Sequence, residues 1–118
     1  MKIALKSLPA FLVVATVIGC LAPFANKAFH MDDPLFLWTA RQIQAHPADF
    51  YGFKANWYGS EMPMAEVTKN PPLASYYLAL AASIFGWSEA ALHLAMLLPA
   101  VAAVLGACFL AKEFGANP

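Results

Sequence analysis

Apolar and polar positions divide the chain into three long uncharged stretches and one polar middle. The first stretch runs from Ser7 to Asn26, with Lys2 and Lys6 ahead of it. About 20 helical residues rise about 30 Å, the thickness of bilayer hydrocarbon, so a spanning helix is expected over about 7–26. Pro9 and Pro23 lie near its ends, where a helix tolerates proline best. The second stretch opens at Pro71-Pro72-Leu73 and closes near Trp87. It predicts a shorter span of about 25 Å, flanked by aromatic anchors. Gly86-Trp87-Ser88-Glu89 reads as a turn, with Ser88 capping the next helix and Glu89 meeting the positive end of its dipole. The third stretch, Ala90 to Ala111, predicts a span kinked by Pro99 and closed by Lys112, Glu113 and Gly115.

The polar middle, residues 27–70, carries a pattern of its own. Asp32-Asp33-Pro34 reads as a helix start, with Asp33 as N-cap and Pro34 at the first helical position. The helix should run to about His46, where Pro47 stops it. Phe36, Ala40 and Ile43 share one face, while Arg41 and Gln44 point elsewhere, a pattern suited to the membrane interface. Downstream, Phe50, Tyr51, Phe53, Trp57 and Tyr58 are of the kind that anchors at headgroup depth; they equally suit stacking on a sugar ring or a lipid headgroup.

Composition sharpens this picture. The chain has 118 residues, 61% hydrophobic and 12% charged, against about a quarter charged in soluble domains. Nine charged residues fall between Lys27 and Lys69, so the charge deficit lies in the uncharged stretches. The fold class expected is therefore all-α, a polytopic membrane segment with three spans and a large first extracytoplasmic loop carrying an interfacial helix. A net charge of zero leaves no basic footprint for nucleic acid. Lys2 and Lys6 favour a cytoplasmic start, yet Lys27, Arg41, Lys54 and Lys69 lie in the loop, so the distribution of basic residues does not decide orientation. Cys20 and Cys108 sit in apolar runs without metal-ligand or redox-motif neighbours and read as small hydrophobes. Val17-Ile18-Gly19-Cys20 fits a lipoprotein cleavage box, a rival reading opposed by the apolar residues past Cys20 and by the later stretches.

Candidate chemistry is concentrated at the ends of the loop. Asp32 and Asp33 are adjacent carboxylates just past the first stretch, able to act as general base, to hold a divalent cation or to orient an acceptor hydroxyl; helix capping is the structural alternative. Lys69 and Asn70 precede the second stretch, where free backbone N–H groups favour an anion such as a lipid phosphate, or a general surface anchor. His93 lies one turn into the third stretch and suits capping or packing near the interface. His30 has no second His or Cys at metal-ligand spacing, so no zinc site is read there.

Taken in order, these features resemble a family. A first span, the acidic pair Asp32-Asp33, Lys69-Asn70-Pro71-Pro72-Leu73 and the turn Gly86-Trp87-Ser88-Glu89 look like the N-terminal part of family 39-type membrane glycosyltransferases of the C fold. That group includes protein O-mannosyltransferases and lipid A aminoarabinose transferases. The resemblance covers nearly the whole chain and implies an inverting enzyme of the plasma (inner) membrane. Such an enzyme takes a sugar from a polyprenyl-phosphate donor on the outer side and passes it to a lipid, glycan or protein acceptor. It implies catalytic roles for Asp32 and Asp33, donor-phosphate contacts for Lys69 and Asn70, and membrane lipid as surroundings; it allows a divalent cation without requiring one. Asp33 is one methylene shorter than the family's usual Glu, Asn70 stands where Lys or His is usual, and His93 stands where Arg is common. The family has further spans, so the chain is expected to be an N-terminal fragment without turnover of its own. A non-enzymatic membrane protein or lipoprotein whose loop binds a partner is the alternative.

Overall fold

The computed structural model describes residues 2–114, with side chains from residue 10 onward. The fold is mostly helical, with one small β-hairpin, and divides into two compact units. One comprises the two ends of the chain, up to Lys27 and from His93 onward; the other comprises Ala28–Leu92.

In the terminal unit, α1 (Lys2–Leu21) packs along α6 (Leu97–Glu113). Pro23 allows only a 3₁₀ turn, Ala22–Phe24, after α1. His93 Nδ1 lies 2.9 Å from the Ala25 carbonyl, so the histidine packs as a polar tie. α5 (Glu89–Ala95) precedes α6, with Met96 between them. Pro99 explains this break: it has no N–H to give to the helix, and its ring crowds the preceding turn. Large apolar side chains face outward, among them Phe11 at 67%, Leu98 at 68% and Phe109 at 62% exposure.

Among the described residues one helix, Glu89–Glu113, is long and apolar enough to cross a membrane, with 25 residues and a mean hydropathy of 2.4. Ala10–Phe24 and Leu73–Phe85 are shorter apolar helices. The second stretch is thus more compact than its uncharged run over 71–87 suggests. Its helix α4 (Leu73–Phe85) has 13 residues, about 20 Å of rise. Pro71 and Pro72 lack N–H groups and stay outside it, and Gly86 ends it at φ 85°, a left-handed conformation that favours glycine. Gly115, expected to close the last helix, lies outside the described residues.

The loop unit is built around α2 (Asp33–Ala45), packed on α4. The pairs Gln44 with Ser83 and Pro47 with Tyr76 run in opposite sequence directions, so the two helices are antiparallel. α4 buries Ser75, Leu78, Ala79, Ala81 and Ala82, mostly small residues that admit a close neighbour. α2 buries Leu35, Thr39, Ala40 and Ile43. Leu35 and Thr39 thus displace Phe36, which is half-buried, from the centre of the expected face. Gln44, expected to point elsewhere, donates to the Ala79 carbonyl and the Ser83 hydroxyl, both at 2.9 Å. The helix expected in the loop is present and packs on α4.

Residues 54–63 contain an element that the sequence did not announce. β1 (Lys54–Asn56) pairs antiparallel with β2 (Glu61–Pro63), Ala55 opposite Met62. Gly59, at φ 88°, supplies the left-handed residue of the connecting turn. A single helical turn, α3 (Met64–Val67), follows. Leu35, Ala55, Met64 and Val67 form a small core, and Tyr51, Phe53, Trp57 and Met62 pack against it. The aromatics expected to anchor in lipid are here partly the wall of a core.

The start of α2 also departs from expectation. Asp32 occupies the N-cap position without a side-chain capping bond, and Asp33 is the first helical residue. Asp33 Oδ2 instead accepts the His30 backbone N–H at 2.9 Å, while the Asp33 N–H donates to the His30 carbonyl at 3.1 Å. This reciprocal pair clamps a turn in which Met31 has φ 49°, unusual for a non-glycine residue. Replacing Asp33 by Ala should release the His30 amide and cost about 0.5–2 kcal/mol, the range for lost caps. Hydrogen exchange should accelerate at His30; an unchanged rate there would remove the clamp.

Candidate functional site

The two carboxylates differ in what the fold asks of them. Asp33 is held by the clamp just described. Asp32 is exposed and makes no side-chain capping bond, so the helix start does not use its carboxylate. Pro34 has no N–H to offer it, and the Leu35 N–H donates to the Asp32 backbone carbonyl at 3.0 Å. A free carboxylate on an ordered backbone can accept a proton from, or orient, an approaching hydroxyl. Among the described residues no three His, Cys, Asp or Glu side chains gather as metal ligands.

Lys69 and Asn70 are exposed and lie at the opposite end of the α2–α4 pair. The Tyr51 hydroxyl donates to the Asn70 carbonyl, and the Tyr76 hydroxyl to the Pro47 carbonyl. The Asn70 N–H meets Thr68 Oγ1 at 3.3 Å. These bonds tie the segment before α4 to the chain just past the end of α2. Asp32 lies at the other end of α2, whose 13 residues rise about 20 Å. The structure therefore does not bring the acidic pair and Lys69–Asn70 into one site.

A groove that sequence reasoning missed lies along α2 and β1. It has a volume of about 590 Å³ and is lined by Trp38, Arg41, Gln42, Phe53, Lys54 and Asn56, with Ala55 behind them. Trp38 and Arg41, three residues apart, share a helix face. Lys54 and Asn56 are the outward residues of β1, on either side of buried Ala55. Neighbours hold the groove's walls. The Arg41 guanidinium lies over the Trp87 ring at 4.5 Å from its centroid, Trp38 meets Trp57 edge-on at 6.0 Å, and Gln42 Nε2 donates to the Asp49 carbonyl at 3.0 Å. No acidic residue lines the groove. Glu61 lies 4.0 Å from Lys54 Nζ, an exposed pair of little energetic consequence. The sequence carried a faint trace of this site, a cation three residues after a tryptophan on one helix. The strand alternation that completes it spans only three residues, too few to recognise.

Comparison of the chain with known protein families, with curated proteins and with solved structures finds no match.

Proposed function

We propose that this chain contributes to a membrane glycosyltransferase that moves a sugar from a polyprenyl-phosphate donor to an acceptor hydroxyl at the outer membrane surface. The observation that carries the reading is Asp32: an exposed carboxylate at an ordered helix start that the fold leaves without a capping bond. The ordered motifs of the sequence supply the reaction class. In that reaction the acceptor oxygen attacks the anomeric carbon, the bond to the phosphate oxygen breaks, and polyprenyl phosphate departs. The acceptor proton passes to Asp32, and the configuration inverts.

Lys69 and Asn70 enter this proposal in a narrower role than the resemblance implies. A donor phosphate is one bond from the anomeric carbon, whereas these residues lie about a helix length from Asp32. They suit contact with a membrane phosphate elsewhere on the unit. The proposed topology has three spans, with residues 27–70 outside the plasma membrane; the outward apolar surface of α1 and α6 supports burial in lipid. An impermeant thiol reagent should therefore label a Ser60→Cys variant in intact cells, with Cys20 and Cys108 replaced by alanine. Labelling only after lysis would reject the outward-facing site. The direct test of function is sugar transfer by the complete protein from a polyprenyl-phosphate donor in reconstituted membranes. Absence of transfer with every donor and acceptor class tried would favour a second reading, a partner-binding loop without catalysis. That reading draws on the separate core of the loop unit.

A further inference from the structure

The groove between α2 and β1 has the chemistry of a ligand site distinct from Asp32. Asp32 is not among its lining residues: Trp38 lies about 9 Å and Arg41 about 13 Å of helix rise along α2 from it. The volume, about 590 Å³, falls within the range that ligand pockets occupy. Two cations and two amides line it beside Trp38 and Phe53. Trp38 remains 40% exposed although it packs against Trp57. An indole face left open beside hydrogen-bonding groups suits the apolar face of a sugar ring, whose hydroxyls then meet the amides.

Arg41 adds selectivity for charge. Its guanidinium carbon lies over the Trp87 ring, 4.5 Å from the centroid. A guanidinium carries five N–H donors in a fixed fork, and these match the paired oxygens of a carboxylate or phosphate. Lys54 sits in the same groove, with only the loose Glu61 contact to neutralise it. Two cations with no lining carboxylate repel cationic ligands and favour anionic ones.

We infer that this groove binds an anionic pyranose, a sugar ring bearing a carboxylate or a phosphate, with Trp38 as the ring platform and Arg41 as the anion fork. The inference rests on the groove alone and holds whichever reaction the protein serves. Titration calorimetry on the full chain in non-ionic detergent tests it, with glucuronate, glucose 1-phosphate, glucose and inorganic phosphate as probes. Saturable binding is expected for glucuronate, glucose 1-phosphate or both, at least tenfold tighter than for glucose; the tighter of the two anionic sugars identifies the anion. Arg41→Gln should lower that affinity about tenfold, and Trp38→Ala should lower it while leaving inorganic phosphate unaffected. Circular dichroism of each variant verifies the helices. Equal binding of glucose and its anionic counterparts, loss of no affinity in folded Arg41→Gln, or failure of both anionic sugars to bind the folded wild-type chain would overturn the assignment. Transfer activity is read in a separate assay, so either proposal can fail alone.

Discussion

Asp32→Asn in the complete protein should lower sugar transfer by about 10²–10⁴-fold, the range for removal of a general base. The substitution is chosen because it keeps shape and removes basicity. Were Asp32 only a cap, Asn would serve almost equally well. The structure sharpens this contrast, because Asp32 makes no side-chain capping bond and its carboxylate is not needed to start α2. Asp33→Asn is the natural comparison. Its effect should be felt first in the turn at His30–Asp33, since one of its oxygens accepts the His30 N–H. The assay is transfer from a polyprenyl-phosphate donor, with expression and helix content measured alongside. Near-normal transfer by a folded Asp32→Asn variant would strike Asp32 from the catalytic residues.

Met64→Ala should be among the most damaging substitutions in the loop unit. Met64 is 0% exposed and belongs to the small core with Leu35, Ala55 and Val67. Truncating a buried methionine to alanine costs about 2–5 kcal/mol, depending on how far the surroundings collapse. Here collapse is limited on several sides. The Met64 N–H donates to the Phe53 carbonyl at 2.9 Å, and the Thr68 N–H donates back to the Met64 carbonyl at 3.0 Å, so the backbone at the cavity is fixed. The loss should be local to the hairpin. Amides of β1 and β2 should exchange faster, while those in the middle of α6 should not. Because Phe53, Lys54 and Asn56 line the groove, anionic-sugar binding should weaken together with hairpin protection. Unchanged exchange in β1 would show that Met64 does not hold the hairpin.

Several helix ends were legible in the sequence by itself, because their signals are local. Ser88 was legible as a cap, and its hydroxyl accepts the Ala91 N–H at 3.2 Å. Pro34 and Pro47 bracketed α2, and Pro99 foretold a break that falls at Met96. Proline acts through its own ring and missing N–H, so no distant contact is needed. Apolar character was legible for the same reason, and the long helix Glu89–Glu113 follows from it. What the tertiary structure decided is which faces meet. Gln44 is polar and was placed away from the packed side, yet it reaches α4 because Ala79 and Ser83 are small enough to let the helix close. Asp33 looked like a cap and instead closes a turn through His30, a choice set by the left-handed Met31. The hairpin left no readable period, since strands of three residues carry too little alternation to detect; burial of Ala55 and Met64 against Leu35 completes it. The family resemblance implied one site for the acidic pair and Lys69–Asn70. The antiparallel pairing of α2 and α4 places them at opposite ends instead, and it leaves Trp38, Arg41 and Lys54, which no motif connects, on the walls of one groove. Residues far apart in sequence meet only when long-range packing closes the loop between them, and that pairing is written in no single segment of the chain.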